Sequence, residues 1–221
     1  MPHMDARGEL LELARRGLDW GMPESHRDAI PGARKAAVLV LFGVLDSIPS
    51  TSAGPVAREL DVLLQRRSAT MSHHAGQISF PGGGVDPTDI DASHAAVREA
   101  VEETGLDPSG VEVLGTLPEF GISASMNLVT PVLGWWQRVS EVAAVDHREA
   151  VDVFRMPVAD LLAPANRVTL LMQWEGKEYR SPAFQVGETL VWGFTALVLD
   201  RMFTELGWAV PWDHQKTIEL P

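Results

Sequence analysis

The sequence contains no cysteine. Disulfides, thiolate metal sites and a cysteine nucleophile are therefore excluded. Positive charge is scarce: 18 lysines and arginines stand against 30 aspartates and glutamates, for a formal net charge of -12. So acidic a surface repels polyanions, and neither nucleic acid nor an anionic membrane is an expected partner. A small phosphorylated ligand stays open, because bound cations invert the local field. Long apolar runs are also missing. The longest, Ala36 to Leu45, is too short to span a bilayer and reads as a buried strand. Met1 to Trp20 is broken by Asp5, Glu9, Glu12 and Asp19, which is not the pattern of a secretory signal. A cytoplasmic setting is the expectation.

Several catalytic signatures are absent as well. No Gly-x-x-x-x-Gly-Lys-Ser/Thr string occurs, which removes the P-loop. A Gly-x-Gly-x-x-Gly reading that starts at Gly82 meets Pro87 at its third glycine. The nearest approach to a Gly-x-Ser-x-Gly elbow begins at Gly121 and ends in Ser125. The seven histidines show no zinc-ligand spacing.

What remains is a globular chain of 221 residues, 45% hydrophobic, long enough to bury a real core. Asp5 to Leu18 reads as a peripheral helix with Leu10, Leu11, Leu13 and Leu18 as its apolar positions. Residues 1–35 are expected to form that helix and a linker, and residues 36–221 the main domain. Strands are expected at Ala36–Leu45, Asp61–Arg66, Gly76–Phe80, Val111–Leu117, Leu128–Gln137 and Val151–Phe154. Val168–Trp174 and the Tyr179–Val186 region read as paired strands. Pro81 to Gly84 reads as a turn that no regular element survives. Helices are expected at Ala92–Thr104, between an Asp91 N-cap and a Gly105 stop, at Pro157–Leu162 as a single turn, and at Gly193–Leu206. Strands and helices in this irregular order suggest an α+β fold, with helices on both sides of a mixed sheet.

The informative segment is Arg98-Glu99-Ala100-Val101-Glu102-Glu103-Thr104-Gly105-Leu106. On a helix, residues three and four apart share a face. Glu99, Glu102 and Glu103 then project within an arc of roughly 100° and repel one another. A hard divalent cation offsets that repulsion, because Mg²⁺ takes oxygen ligands from carboxylates and substrate phosphates. The alternative is a solvated acidic face. Against it stand the glycines Gly82 to Gly84 one loop upstream, which let backbone approach a ligand closely, Arg98 directly before the carboxylates, and Leu106 resuming the core after Gly105.

This segment resembles the Nudix box: Gly, five residues, Glu, seven residues, then Arg-Glu-apolar-any-Glu-Glu-any-Gly-apolar. The second half matches throughout from Arg98 to Leu106. In the first half Asp89 stands where Glu is usual, five residues after Gly83, and eight residues separate it from Arg98. The resemblance implies a Nudix-type α/β/α sandwich with a mixed sheet, with residues 36–221 as the Nudix domain. It also implies Mg²⁺ or Mn²⁺ held by Glu99, Glu102 and Glu103 with a backbone carbonyl at Gly83, and Arg98 within the catalytic set. The ligand expected is a small nucleotide-derived molecule, and the protein a monomer or homodimer.

The flank Leu63-Leu64-Gln65-Arg66-Arg67-Ser68, followed by His73, Gly76 and Phe80-Pro81-Gly82-Gly83, resembles the signature of the coenzyme A diphosphatase branch. That branch shares the longer box spacing and the Asp. Val129-Thr130-Pro131-Val132 and Trp192-Gly193-Phe194-Thr195-Ala196 are further echoes. The resemblance implies hydrolysis of coenzyme A or its thioesters, with Arg66, Arg67, His73, Gly82 and Gly83 meeting substrate. Arginine suits bidentate phosphate geometry; strand-end surface charge is the plainer reading of Arg66 and Arg67. His73 and His74 are neighbours that point apart in an extended segment, so both do not ligate one metal. Glu149 is similar to an extra carboxylate of several Nudix branches, as base or ligand, with a surface glutamate as its plainer reading. Two other readings stand beside this one: hydrolysis of ADP-ribose or another nucleoside diphosphate derivative, and a Nudix-fold module that binds without turnover. The intact carboxylate set argues for catalysis.

Overall fold

The computed structural model describes residues 5–21, 31–44, 59–69, 75–148, 150–174 and 177–219. Its centre is β1 (Arg34–Val44), a strand buried along nearly its whole length. Strict alternation assigns its side chains to two layers. Ala37, Leu39 and Leu41 enter one core, while Val40 and Phe42 enter another. β1 pairs in parallel with β7 (Asn127–Trp136) over ten residues. On its other side it meets β2 (Leu60–Arg67) at its C-terminal end and β4 (Gly82–Gly84) near its N-terminal end, both antiparallel. β3 (Ile78–Ser79) and β8 (Ala150–Pro157) flank β2, and β5 (Val111–Thr116) and β6 (Phe120–Ile122) pair with β7. The mixed sheet and its helices are those of the α+β sandwich expected from sequence.

α2 (Ala92–Thr104) covers the first face. Its bounds and caps agree with the sequence: Asp91 accepts from the His94 amide, and Gly105 takes the left-handed conformation with φ 68. Ala95, Ala96 and Ala100 are buried against Ala37, Leu39, Leu41 and Leu63, with Val97 at the edge. Val101 is only half-buried. Alanines on the packed face let the helix sit close to the sheet, which brings its carboxylates near the strands.

The opposite face is thicker than a helical layer alone. α1 (Ala6–Arg16) buries Ala6, Leu10 and Leu13, and α4 (Gly193–Glu205) buries Val198, Leu199, Met202 and Phe203, in one core. The helix read as peripheral is thus part of the main core. Beside them stands a second sheet, in the order β11 (Thr189–Val191), β10 (Lys177–Val186), β9 (Arg167–Trp174), β12 (Thr217–Glu219). The expected β9–β10 pairing is antiparallel. A short α3 (Val158–Leu162) joins β8 to it. The three-residue strands β6, β11 and β12 were not expected, being too short for a periodic signal. No helix among the described residues is long and apolar enough to cross a membrane.

The glycine turn departs from expectation. Gly82–Gly84 is a strand, because it pairs with Ala36–Val38 of β1. Gly82 has φ 154, and a Cβ there would run into Ala37 O and lie 2.6 Å from Val38 Cα. At Gly84 nothing lies within 4 Å of the same position. Gly82→Ala is therefore expected to destabilise by about 2–4 kcal/mol, from overpacking plus backbone strain. Gly84→Ala should stay within about 0.5 kcal/mol of the parent. Urea unfolding of the two variants checks the contrast.

Candidate active site

The site forms where α2 crosses β4. By the alternation of an antiparallel ladder, Gly83 faces Ala37, while the Gly82 amide turns away and donates to Glu103 Oε2 at 2.8 Å. Gln65 Nε2, from the buried stretch of β2, donates to the same oxygen at 2.8 Å. Glu103 is 5% exposed. Desolvation pushes its carboxyl up to about 7, against the pull of Gly82, Gln65 and the nearby Arg67; the charge of Glu99 pushes it further up. Glu99 stands one turn earlier on α2. A Cβ on Gly83 would lie 2.5 Å from its carboxylate carbon, so the absence of a side chain there is what admits Glu99.

Arg98 organises the rest. Its Nε and Nη2 bind the two Asp89 oxygens at 3.0 and 2.9 Å. Nη2 also donates to Gly84 O at 3.1 Å. Nη1 donates to Glu99 Oε1 at 2.9 Å and to Glu102 Oε2 at 3.2 Å. The Asp89 side chain is fully buried, with His94 Nδ1 2.7 Å from Oδ1. The Arg98 hydrogen bonds hold the Asp89 carboxyl well below the usual carboxylate range, and Asp89 raises the Arg98 guanidinium above its ordinary value. Asp89, the position that departs from the box, is thus its structural anchor. Arg98, expected in the catalytic set, acts on Asp89, Gly84 and the two glutamates, which is a positioning role.

Of the residues singled out from sequence, the structure brings together Glu99, Glu103, Gly82, Gly83 and Arg67. Glu102 is not gathered in: its side chain is 58% exposed and pairs with Arg98 on the outer rim. Among the described residues no three acidic or histidine side chains form a ready cage for a cation, since Glu102 points outward and Arg98 draws on two of the glutamates. The donors still fit a hard cation. Two carboxylates face a glycine strand whose bare backbone admits them, and they are close enough to repel. Arg66 is half-buried, its backbone between Ile78 and Asp152. Arg67 Nε is buried and has no hydrogen-bond partner among the described residues. His73 and Glu149 lie outside the described residues. Gln65 was missed; the available signal was an amide directly after the apolar run Val62-Leu63-Leu64. Two surface clefts of about 370 and 450 Å³ lie elsewhere, one beside Trp212 and His214 and the other at the end of α2.

A mixed sheet with a carboxylate-bearing helix locked behind a glycine strand defines a Nudix domain, and the NUDIX domain family matches residues 49–173. The chain belongs to the Nudix family. It is 33% identical over 193 residues to an uncharacterized Nudix hydrolase, NudL, of Cronobacter sakazakii, covering 84% of this chain and 88% of that one. A NudL of Salmonella newport is 34% identical over 161 residues, covering 69% and 80%. Among solved structures, the M. smegmatis Nudix hydrolase RenU is 25% identical, with a TM-score of 0.44 over 57% of this chain and 71% of that one. Nudix hydrolases act on nucleoside diphosphate derivatives and generally use divalent cations such as Mg²⁺ or Mn²⁺.

The buried carboxylate gives a stability signature. The folded-state pKa of Glu103 is raised from 4.5 to about 7, so the protein prefers it protonated. The associated stability is fully present below about pH 4.5 and is lost as pH rises through about 7. In metal-free buffer, Glu103→Gln should therefore match the parent near pH 4.5 and exceed it above pH 8, by on the order of 2–3 kcal/mol. Thermal melts in EDTA across that range check it.

Proposed function

We propose that the protein hydrolyses the diphosphate linkage of coenzyme A or its thioesters, giving 3′,5′-ADP and 4′-phosphopantetheine or its acyl form. The observation that carries this reading is Arg67. It stands in the Leu63–Gly83 stretch that resembles the coenzyme A diphosphatases, its charge reaches Glu103, and its buried Nε has no hydrogen-bond partner among the described residues. A buried guanidinium nitrogen beside the carboxylates is suited to a phosphate oxygen. Arg66 and His73 belong to the same stretch and serve the same anionic ligand.

Glu99 and Glu103 would hold the divalent cation, with Glu102 at the rim. Gly83 stands in the ladder with Ala37, so Gly82, whose amide already turns to Glu103, is the better placed glycine to lend a carbonyl. When bound, Mg²⁺ or Mn²⁺ supplies neutralisation of the diphosphate and acidification of a water. Glu99, at 17% exposed, is the more open of the two inner carboxylates and orients the attacking water. Arg98 fixes Glu99 from behind, and positioning of this kind supplies most of the rate in phosphoryl transfer. Water adds to one phosphorus, the bridging P–O bond breaks, and each product leaves with a terminal phosphate.

Incubation with Mg²⁺ or Mn²⁺ and coenzyme A, ADP-ribose, NADH or nucleoside triphosphates, read by mass, tests the substrate. Coenzyme A should give 3′,5′-ADP and 4′-phosphopantetheine; turnover of ADP-ribose with none of coenzyme A would sink the reading. Glu103→Gln should lower turnover by about 10²-fold or more, roughly 2.7 kcal/mol of barrier, and Glu99→Gln at least as much. Arg67→Ala should raise KM for coenzyme A by about tenfold, the scale of one charge-assisted hydrogen bond. Retention of more than about half the activity by Glu103→Gln at low Mg²⁺, far less than one tenfold step, would overturn the metal assignment.

A further inference from the structure

Gln65 sits in the middle of β2, where every side chain from Leu60 through Gln65 is buried. Alternation along the strand puts Leu63, Gln65 and Arg67 on the face toward α2, and Leu63 packs there with Ala95, Ala96 and Ala100. An apolar side chain would suit that packing better than an amide, whose burial costs free energy unless it is hydrogen-bonded. The amide does have a use. Gln65 Nε2 and the Gly82 amide both donate to Glu103 Oε2, each at 2.8 Å. Both donors therefore engage one carboxylate oxygen and leave Oε1 to other partners.

We infer that Gln65 is a positioning residue for the divalent cation: with Gly82 it turns Glu103 Oε2 into the protein, so that Oε1 alone is presented at the diphosphate. This rests on Glu103 being a ligand of that cation. The chemistry of the amide supports it. A neutral donor fixes the orientation of the carboxylate without cancelling its charge, whereas a lysine or arginine there would form an ion pair and compete with the metal. The other end of the amide agrees with a polar setting. Gln65 Oε1, the hydroxyl of its cross-strand partner Ser79 and Arg67 Nε are all buried and without hydrogen-bond partners among the described residues. The strand thus carries a polar patch in its interior beside Glu103. Partners of this kind, one step behind a metal ligand, typically govern metal affinity or activity by about 10–100-fold.

The test uses the whole chain with Mn²⁺ as probe. In Gln65→Met, which keeps the volume and removes the donor, the dissociation constant of the tightest Mn²⁺ site should rise about tenfold or more without substrate. Turnover should fall by a similar factor while KM stays within about threefold. In a Glu103→Gln background the same change should alter Mn²⁺ affinity by less than about twofold, because the two residues act as one unit. A purely structural Gln65 would instead lower the melting temperature and leave Mn²⁺ affinity intact, and that result overturns the inference. If Gln65→Met does not fold, Gln65→Asn decides, since its amide is one methylene too short to reach; if neither folds, the role is packing and the inference falls. Unchanged Mn²⁺ affinity in Glu103→Gln alone would remove the ligand assignment and this inference together. Failure of coenzyme A as substrate would leave the Mn²⁺ arm untouched, so the two failures are distinguishable.

Discussion

A carboxylate held out of water at the junction of a helix and a sheet is the constraint on which the rest of this site depends. Glu103 is 5% exposed, and an uncompensated charge at that depth is costly. The fold answers with an amide from Gly82, a second from Gln65 and the charge of Arg67. Each answer constrains an element. The amide requires β4 to press against β1, which only glycine at position 82 permits. The glutamine requires a polar side chain in the buried part of β2. The approach of α2 requires Ala95, Ala96 and Ala100 on its packed face. The carboxylate stays partly uncompensated even so, as its raised pKa of about 7 records. A site whose own donors fall short of neutralising its acids retains affinity for a cation.

Arg98 is the second fixed point, and it explains the departure of the sequence from the Nudix box. Aspartate is one methylene shorter than glutamate, and the segment before the helix is one residue longer than usual. The two changes offset each other: Asp89 still meets Arg98 with both oxygens. One guanidinium then ties the loop at Asp89, the glycine strand at Gly84 and the helix at Glu99 into a single body. A lysine could not make these contacts together, because it lacks the planar fork.

Most of the sheet and the bounds and caps of α2 were legible in the sequence, because Asp91, Gly105 and the apolar run of β1 are local signals. Less was legible where a role is set by a distant partner. Gly82–Gly84 reads as a turn by composition, and it becomes a strand only because Ala36–Val38 lies alongside. Glu102 and Glu103 are adjacent and chemically alike. Their fates diverge because one faces Gln65 and Gly82, while the other lies a hundred degrees further round the helix, over Arg98. The likeness to the box carries no such distinction, and neither does charge counting. The helix at Ala6–Arg16 looked peripheral for the same reason: its leucine stripe finds its partners, Leu114 and Leu117, about a hundred residues later.

The C-terminal part of the chain approaches the site through a buried hydrogen bond. Thr195, near the start of α4, donates its hydroxyl to Ile78 O at 3.1 Å, and both residues are nearly inaccessible to solvent. Ile78 pairs with Arg66 on β2 and leads directly into Phe80-Pro81-Gly82. Phe194 packs at a tilt against Phe120, which meets Trp20, beyond α1, edge to face. The Trp192-Gly193-Phe194-Thr195-Ala196 run therefore braces, through Ile78, the strand that leads to the Gly82 amide and Glu103. Loosening that hydroxyl contact would let β3 shift relative to β2. The strand that leads to Gly82 would then lose its register with β2, and Glu103 Oε2 would lose one of its two donors. The segment after the family match thus bears on the carboxylates of α2 through geometry alone.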